Sequence, residues 1–266
     1  MPVYNIDGEP ISADGNAVTV KRNDLSMVDD FLSVARSYLG QTGMNYSDGN
    51  TIFYTDQPTT GIDCSTYAML CMMGYSYEES PYYTKQYKNP DSWEANTLHN
   101  WGISPIQYKI SRYIDGSSPT ESIHLACQIA RWMTERSQVV PLGNGFRDVL
   151  PGDVVFWAIK KRVSNEWWNP TWYLHISHIG LILSKEDAPD TYEVDGTTYT
   201  WDKSKYPFKH TIIEVYQEQA GGSPCQNNRW LELRQEDPTN VYGNNVNTIA
   251  MIARPDLGAL RQLTTN

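Results

Sequence analysis

No run of roughly 18 or more apolar residues occurs in the chain, which leaves no segment long enough to be a membrane-spanning helix. The first ten residues, MPVYNIDGEP, lack the basic stretch and apolar segment of an export leader, so no signal peptide is expected. Positive charge is scarce: 21 Lys and Arg stand against 31 Asp and Glu, a formal net charge of −10. A phosphate-tracking surface needs clustered Lys and Arg, so no nucleic-acid partner is expected. Phenylalanine is rare too, with 5 residues against 18 Tyr and 9 Trp. Rings with a polar handle are thus favoured over purely apolar ones, which suits a wet groove that grips sugars or peptides. The 4 cysteines, Cys64, Cys71, Cys127 and Cys225, are too few for a disulfide scaffold and lack paired C-x-x-C spacing, so mostly free thiols are expected. His175 and His178 form an H-x-x-H, but in an apolar alternation that reads as strand, where positions three apart face opposite sides. Neither a metal nor another cofactor is expected.

What is present is enough apolar material, 40% of 266 residues, for one substantial core. Residues 1–22 carry short alternating stretches (Val3, Tyr4, Ile6, then Val18, Val20) separated by Asp-Gly turns, and predict an N-terminal arm or small hairpin. From Ser26, with Asp29 three residues on as an acidic capping-box variant, the spacing of Met27, Phe31, Leu32, Ala35 and Leu39 predicts a helix ending at Gly40. Residues 41–62 are rich in Gly, Thr, Asn and Asp and read as loop. Tyr67, Ala68, Leu70 and Cys71 then predict a helix over Cys64 to Met73, closed by Gly74.

The stretch 78–120 is crowded with Tyr, Trp, Pro and Asn and has little periodicity. Thr120 to Arg136 is again helical, through Ile123, Leu125, Ala126, Ile129, Ala130 and Met133. We read 78–137 as an insertion or cap. Beyond it the period becomes two: Val154, Phe156, Ala158; Ile179, Leu181, Leu183; Ile212, Glu214, Tyr216; Thr248, Ala250, Ile252. Helices first and strands afterwards indicate an α+β fold.

The chemistry concentrates at Cys64. A thiol attacks carbonyls only as thiolate, and a helix N-terminus and a nearby histidine are the two commonest sources of the positive environment that favours it. The predicted helix supplies the first, together with backbone N–H groups that have no intrahelical partner and can face a developing oxyanion. His178, in the apolar strand around Ile176 to Leu183, is the best-placed candidate for the second.

Three stretches carry a resemblance: Gly61 to Tyr67 (GIDCSTY), Leu150 to Trp157 (LPGDVVFW) and Ser177 to Leu183 (SHIGLIL). Taken in order they resemble the signature blocks of NlpC-type cell-wall cysteine peptidases. The resemblance implies a papain-like core in which a helix presents the cysteine against an antiparallel sheet, formed by 23–77 and 138–256. It implies hydrolysis of amide bonds in peptidoglycan stem peptides, with Cys64 as nucleophile and His178 as base. Relatives place a polar group that orients the imidazole on the strand after the His strand, which here gives Glu214, with His210 on the same strand as runner-up. Tyr46, Asp63 and Ser65 match positions that contact substrate. Thr66 departs from the small residue usual in the family, and the Cys-to-His interval is lengthened by 78–137.

Each residue also has a plainer reading. An isolated Cys in a helix is usually core, which we accept for Cys71 and Cys127; the Asp-Cys-Ser setting at a helix start reverses it for Cys64. Trp167, Trp168, Trp172 and Tyr173 could form a rim for glycan stacking, yet hairpin aromatics pack against each other just as often. The functional expectation is a peptidoglycan hydrolase acting on the cell wall, virion-associated or extracellular, with the N-terminal arm as an attachment to a larger particle. A muramoyl-alanine amidase on the same scaffold, or a phage tail or wall-binding structural protein with little activity, stay open as alternatives.

Overall fold

The computed structural model describes residues 3–4, 20–40, 63–77, 126–136, 138–162, 172–194, 196–215, 225–230 and 248–260. Among them are the helices α1 (Leu25–Ser37), α2 (Cys64–Met73), α3 (Ala126–Glu135) and the short α4 (Gly143–Phe146), and residues 257–260 are helical too. The strands are β1 (Val3–Tyr4), β2 (Val139–Val140), β3 (Val154–Arg162), β4 (Trp172–Asp187), β5 (Thr191–Val194), β6 (Thr197–Thr200), β7 (Phe208–Val215), β8 (Cys225–Trp230) and β9 (Thr248–Ala253). The architecture is α+β. A main sheet runs β2-β9-β3-β4-β7-β8 with antiparallel neighbours throughout, and β5-β6 form a separate hairpin. None of the helices is long and apolar enough to cross a membrane.

The sheet is buried on both faces, and β3 shows why. Val154, Phe156 and Ala158 join a core cluster shared with α1, α2 and α3, whereas Val155 and Trp157 join a second cluster with Phe146, Val149, Ile212 and Ile252. Period-two alternation therefore separates two cores here, and not a core from solvent. Helix α2 is apolar on every side: Tyr67, Ala68, Met69, Leu70, Cys71 and Met72 are all buried. Such a helix belongs inside a core. Its end is a Schellman turn, with Tyr75 N–H bonded to Leu70 C=O, Gly74 N–H to Cys71 C=O, and Gly74 at φ +86°. Cys71 and Cys127 are core residues.

Several expectations change. Helix α1 starts two residues earlier than the Ser26 capping box implies: Asp24 is the N-cap, its carbonyl accepting from Met27 and Val28, and it makes no side-chain cap. Helix α3 lies within the segment set apart as 78–137, yet its Cys127, Ile129, Ala130, Trp132 and Met133 are buried in the same cluster as α1 and α2. Residues 78–125 lie outside the described residues, as do Trp167 and Trp168 and the side chains of Trp172 and Tyr173. At the N-terminus, β1 pairs in parallel with β4 (Val3 with Leu174, Tyr4 with His175), the behaviour of an arm added to a strand edge. Two of the tyrosines also serve a drier purpose than a sugar-gripping groove. Tyr38 and Tyr67 are buried edge to face at 5.3 Å between α1 and α2, and their hydroxyls donate to the Tyr75 and Ala35 carbonyls. A phenylalanine at either place would lose that hydroxyl bond.

The Pro-Gly-Asp stretch is a turn locked at the mouth of β3. Asp153 N–H bonds to Leu150 C=O and Gly152 sits at φ +90°, the geometry of a type II turn with Pro151 and Gly152 at its centre. The Asp153 carboxylate accepts from Leu150 N–H and is gripped at both oxygens by the buried Arg254 guanidinium, at 2.7 and 2.9 Å. Arg254 is one residue past β9, so the pair ties the start of β3 to the end of its neighbour. Removing one partner from such a buried pair costs on the order of 3 to 5 kcal/mol, because the other charge is left unpaired.

Candidate active site

The site is assembled from the start of α2, the middle of β4 and the end of β7. Asp63 precedes α2, and its C=O accepts the Tyr67 N–H at 3.0 Å, the first backbone bond of the helix. Cys64 is therefore in the first turn, where N–H groups precede the ladder and the helix dipole favours negative charge. Because α2 is packed on all sides, Cys64 stands on a rigid support.

His178 is placed by an irregularity in β4. Trp157 pairs with His178 and Ala158 with Ile176, so Ser177 has no counterpart across the ladder. This bulge switches the alternation: Leu174 and Ile176 before it and Ile179, Leu181 and Leu183 after it all join the helix-side core. It also corrects the expectation for His175 and His178. They pair with Ile159 and Trp157, two residues apart on β3, which puts them on the same side of the sheet. No group of three His, Cys, Asp or Glu among the described residues stands close enough to hold a metal.

Glu214, on β7, lies with its Oε2 2.7 Å from His178 Nε2, with side-chain exposures of 6% and 13%. The Cys64 thiol is the second polar partner of the ring. Burial alone would make the imidazole harder to protonate, but hydrogen bonds and charge from Cys64 and Glu214 outweigh it. The His178 pKa rises from its ordinary 6.5 to about 9. A ring held between a thiol and a carboxylate at neutral pH is poised as imidazolium, the state that supports a thiolate.

His210, the other candidate on β7, is elsewhere. It is fully buried, pairs across the ladder with Lys185, and its Nε2 faces Val149 C=O at 3.3 Å. Asp63 and Ser65 flank Cys64 as a buried pair, Ser65 Oγ donating to Asp63 Oδ1 at 2.9 Å. Tyr46 lies outside the described residues, as does the Thr66 side chain. Sequence reasoning did not single out Trp157, whose ring centroid is 5.2 Å from that of His178. The signal available was its place at the end of the LPGDVVFW stretch, together with a glycine two residues after the histidine on the paired strand.

The structure thus brings together Cys64, His178 and Glu214, with Asp63 and Ser65 beside Cys64. A scan against protein-family models, a search of curated proteins and a search of solved structures each return no match.

Proposed function

We propose that this chain is a cysteine hydrolase with a papain-like, NlpC-type core that cuts amide bonds in peptidoglycan stem peptides. The observation that carries the reading is the ordered relay from Glu214 through His178 to Cys64, with the thiol in the first turn of a buried helix. A core histidine needs one satisfied partner; this one has an acid on one side and a thiol on the other.

In this reading His178 takes the Cys64 proton and the thiolate attacks the amide carbonyl. The resulting oxyanion faces N–H groups at the start of α2. His178 then returns its proton to the leaving amine, and water, deprotonated by the same ring, hydrolyses the acyl-enzyme. Glu214 keeps the ring oriented and supports its positive charge in both steps. The resemblance to the NlpC family supplies the substrate: Asp63 and Ser65 take the amine side of a stem peptide, Tyr46 is the tyrosine beside the nucleophile, and the enzyme works at the wall, carried on a larger particle through its N-terminal arm.

The test is digestion of purified peptidoglycan followed by mass spectrometry, with Cys64→Ala as control. New amino termini within the stems are expected from the wild type and none from the variant. Release of whole stems from glycan would move the bond to the muramoyl-alanine amide. Absence of any cleavage would favour a wall-binding or tail protein, and cleavage by Cys64→Ala would sink the central assignment.

A further inference from the structure

The environment of His178 contains a third group besides its two polar partners. The Trp157 indole is 1% exposed, and its centroid lies 5.2 Å from the imidazole with the planes 32° apart. What lets a ring of that size cross β4 is Gly180. A Cβ built there would fall 2.9 Å from Trp157 Cζ3, 3.0 Å from its Cη2 and 2.9 Å from Ile212 Cγ2. Real side chains do not approach so closely, and neither the indole nor the Ile212 methyl has free space behind it, since both belong to one packed cluster with Val155 and Ile182. The Ser177 bulge completes the arrangement, because it sets His178 directly opposite Trp157 in the ladder.

We infer that Trp157 is a positioning residue of this site: its indole, admitted across β4 by the missing side chain of Gly180, walls the His178 imidazole into the plane that joins Glu214 to Cys64. The inference rests on the cysteine-hydrolase reading. Two hydrogen bonds fix where a ring's nitrogens point but leave it free to tilt about the axis through them, and a flat neighbour removes that freedom. The aromatic face within about 6 Å also favours the imidazolium over the neutral ring. Gly180 thereby acquires a function through Trp157 without touching the reacting atoms.

The test uses alkylation of Cys64 by iodoacetamide, followed by mass spectrometry on the full chain across pH, so that no substrate need be known. Wild-type Cys64 is expected to react at about pH 6, where an ordinary thiol is almost wholly protonated. Gly180→Ala and Trp157→Leu are each expected to slow that reaction by roughly tenfold, as a displaced catalytic ring does. The difference should close at high pH, where any thiol ionises unaided. Trp157→Phe keeps a flat ring and should recover most of the rate. Folded Gly180→Ala and Trp157→Leu proteins with the wild-type pH profile would overturn the inference, whatever their Tm. Should Trp157→Leu not fold, Gly180→Ala decides in the same way. If wild-type Cys64 reacts no faster at about pH 6 than it does in His178→Ala, the hydrolase reading itself fails and this inference with it.

Discussion

His178 and His210 sit on adjacent strands, both removed from bulk water, and they arrive at opposite protonation states. Burial pushes each towards the neutral form. At His178 a thiol and a carboxylate outweigh it and the pKa rises to about 9. At His210 burial lowers the pKa more than the Val149 carbonyl raises it, and Lys185 lowers it further, to about 4. A neutral ring suits that place: Nε2–H donates to Val149, and Nδ1, which finds no hydrogen-bond partner among the described residues, need carry no proton. Burial therefore does not by itself set the protonation of a histidine; the chemistry of its partners does.

The sharpest way to break this comparison is to remove each ring in turn. His178→Ala should lower peptidoglycan hydrolysis by roughly 10²- to 10⁴-fold, the usual contribution of a general base. His210→Ala should leave the rate per folded molecule within a few-fold and instead lower Tm, because it empties a closed site. Equal rate losses in the two folded variants would mean that the relay through Glu214 does not define the site.

A smaller effect separates the charge of Glu214 from its geometry. Glu214→Gln keeps a hydrogen-bonding group at His178 Nε2 and loses the charge that supports imidazolium, so a loss of roughly tenfold in kcat is expected, with a larger one for Glu214→Ala. The bell-shaped pH profile should narrow in Glu214→Gln, its limbs belonging to the coupled Cys64–His178 pair. An unchanged profile would leave Glu214 as a packing residue.

How much of this was legible in the sequence divides along physical lines. Helix α2, its glycine stop and the apolar parts of β3, β4, β7 and β9 follow from periodicity, which burial imposes directly on residue type. Cys64 at a helix start and Glu214 on the strand after His178 follow from the same periods. The Ser177 bulge does not, since one extra polar residue between apolar neighbours on both sides leaves the hydropathy pattern almost untouched, and with it went the facing of His175 and His178. The β5-β6 hairpin was missed because all of β6 is exposed, so no alternation marks it. At α1 two residues able to cap, Asp24 and Ser26, stand two apart, and only the path of the chain chooses between them. Trp157 was hidden for another reason: its relation to His178 depends on an absent side chain at Gly180, and contacts made possible by absence have no motif.

The smallest expected effect concerns stability against pH, where the two histidines should pull on opposite limbs. His178 binds its proton more tightly folded than unfolded, so its contribution is fully present below about pH 6.5 and is lost as pH rises towards about 9. His210 binds its proton less tightly folded than unfolded, so its contribution is present above about pH 6.5 and is lost as pH falls towards about 4. Thermal unfolding of the wild type should therefore weaken on both sides of that window. Glu214→Gln should flatten the alkaline limb and leave the acid limb alone. His210→Gln, which can still donate to Val149, should flatten the acid limb and leave the alkaline one alone. Each change should be a few °C in Tm across its window for a chain of this size. The crossed result, with Glu214→Gln altering the acid limb or His210→Gln the alkaline one, would show that the two rings do not titrate independently and that partner chemistry is not what sets them apart.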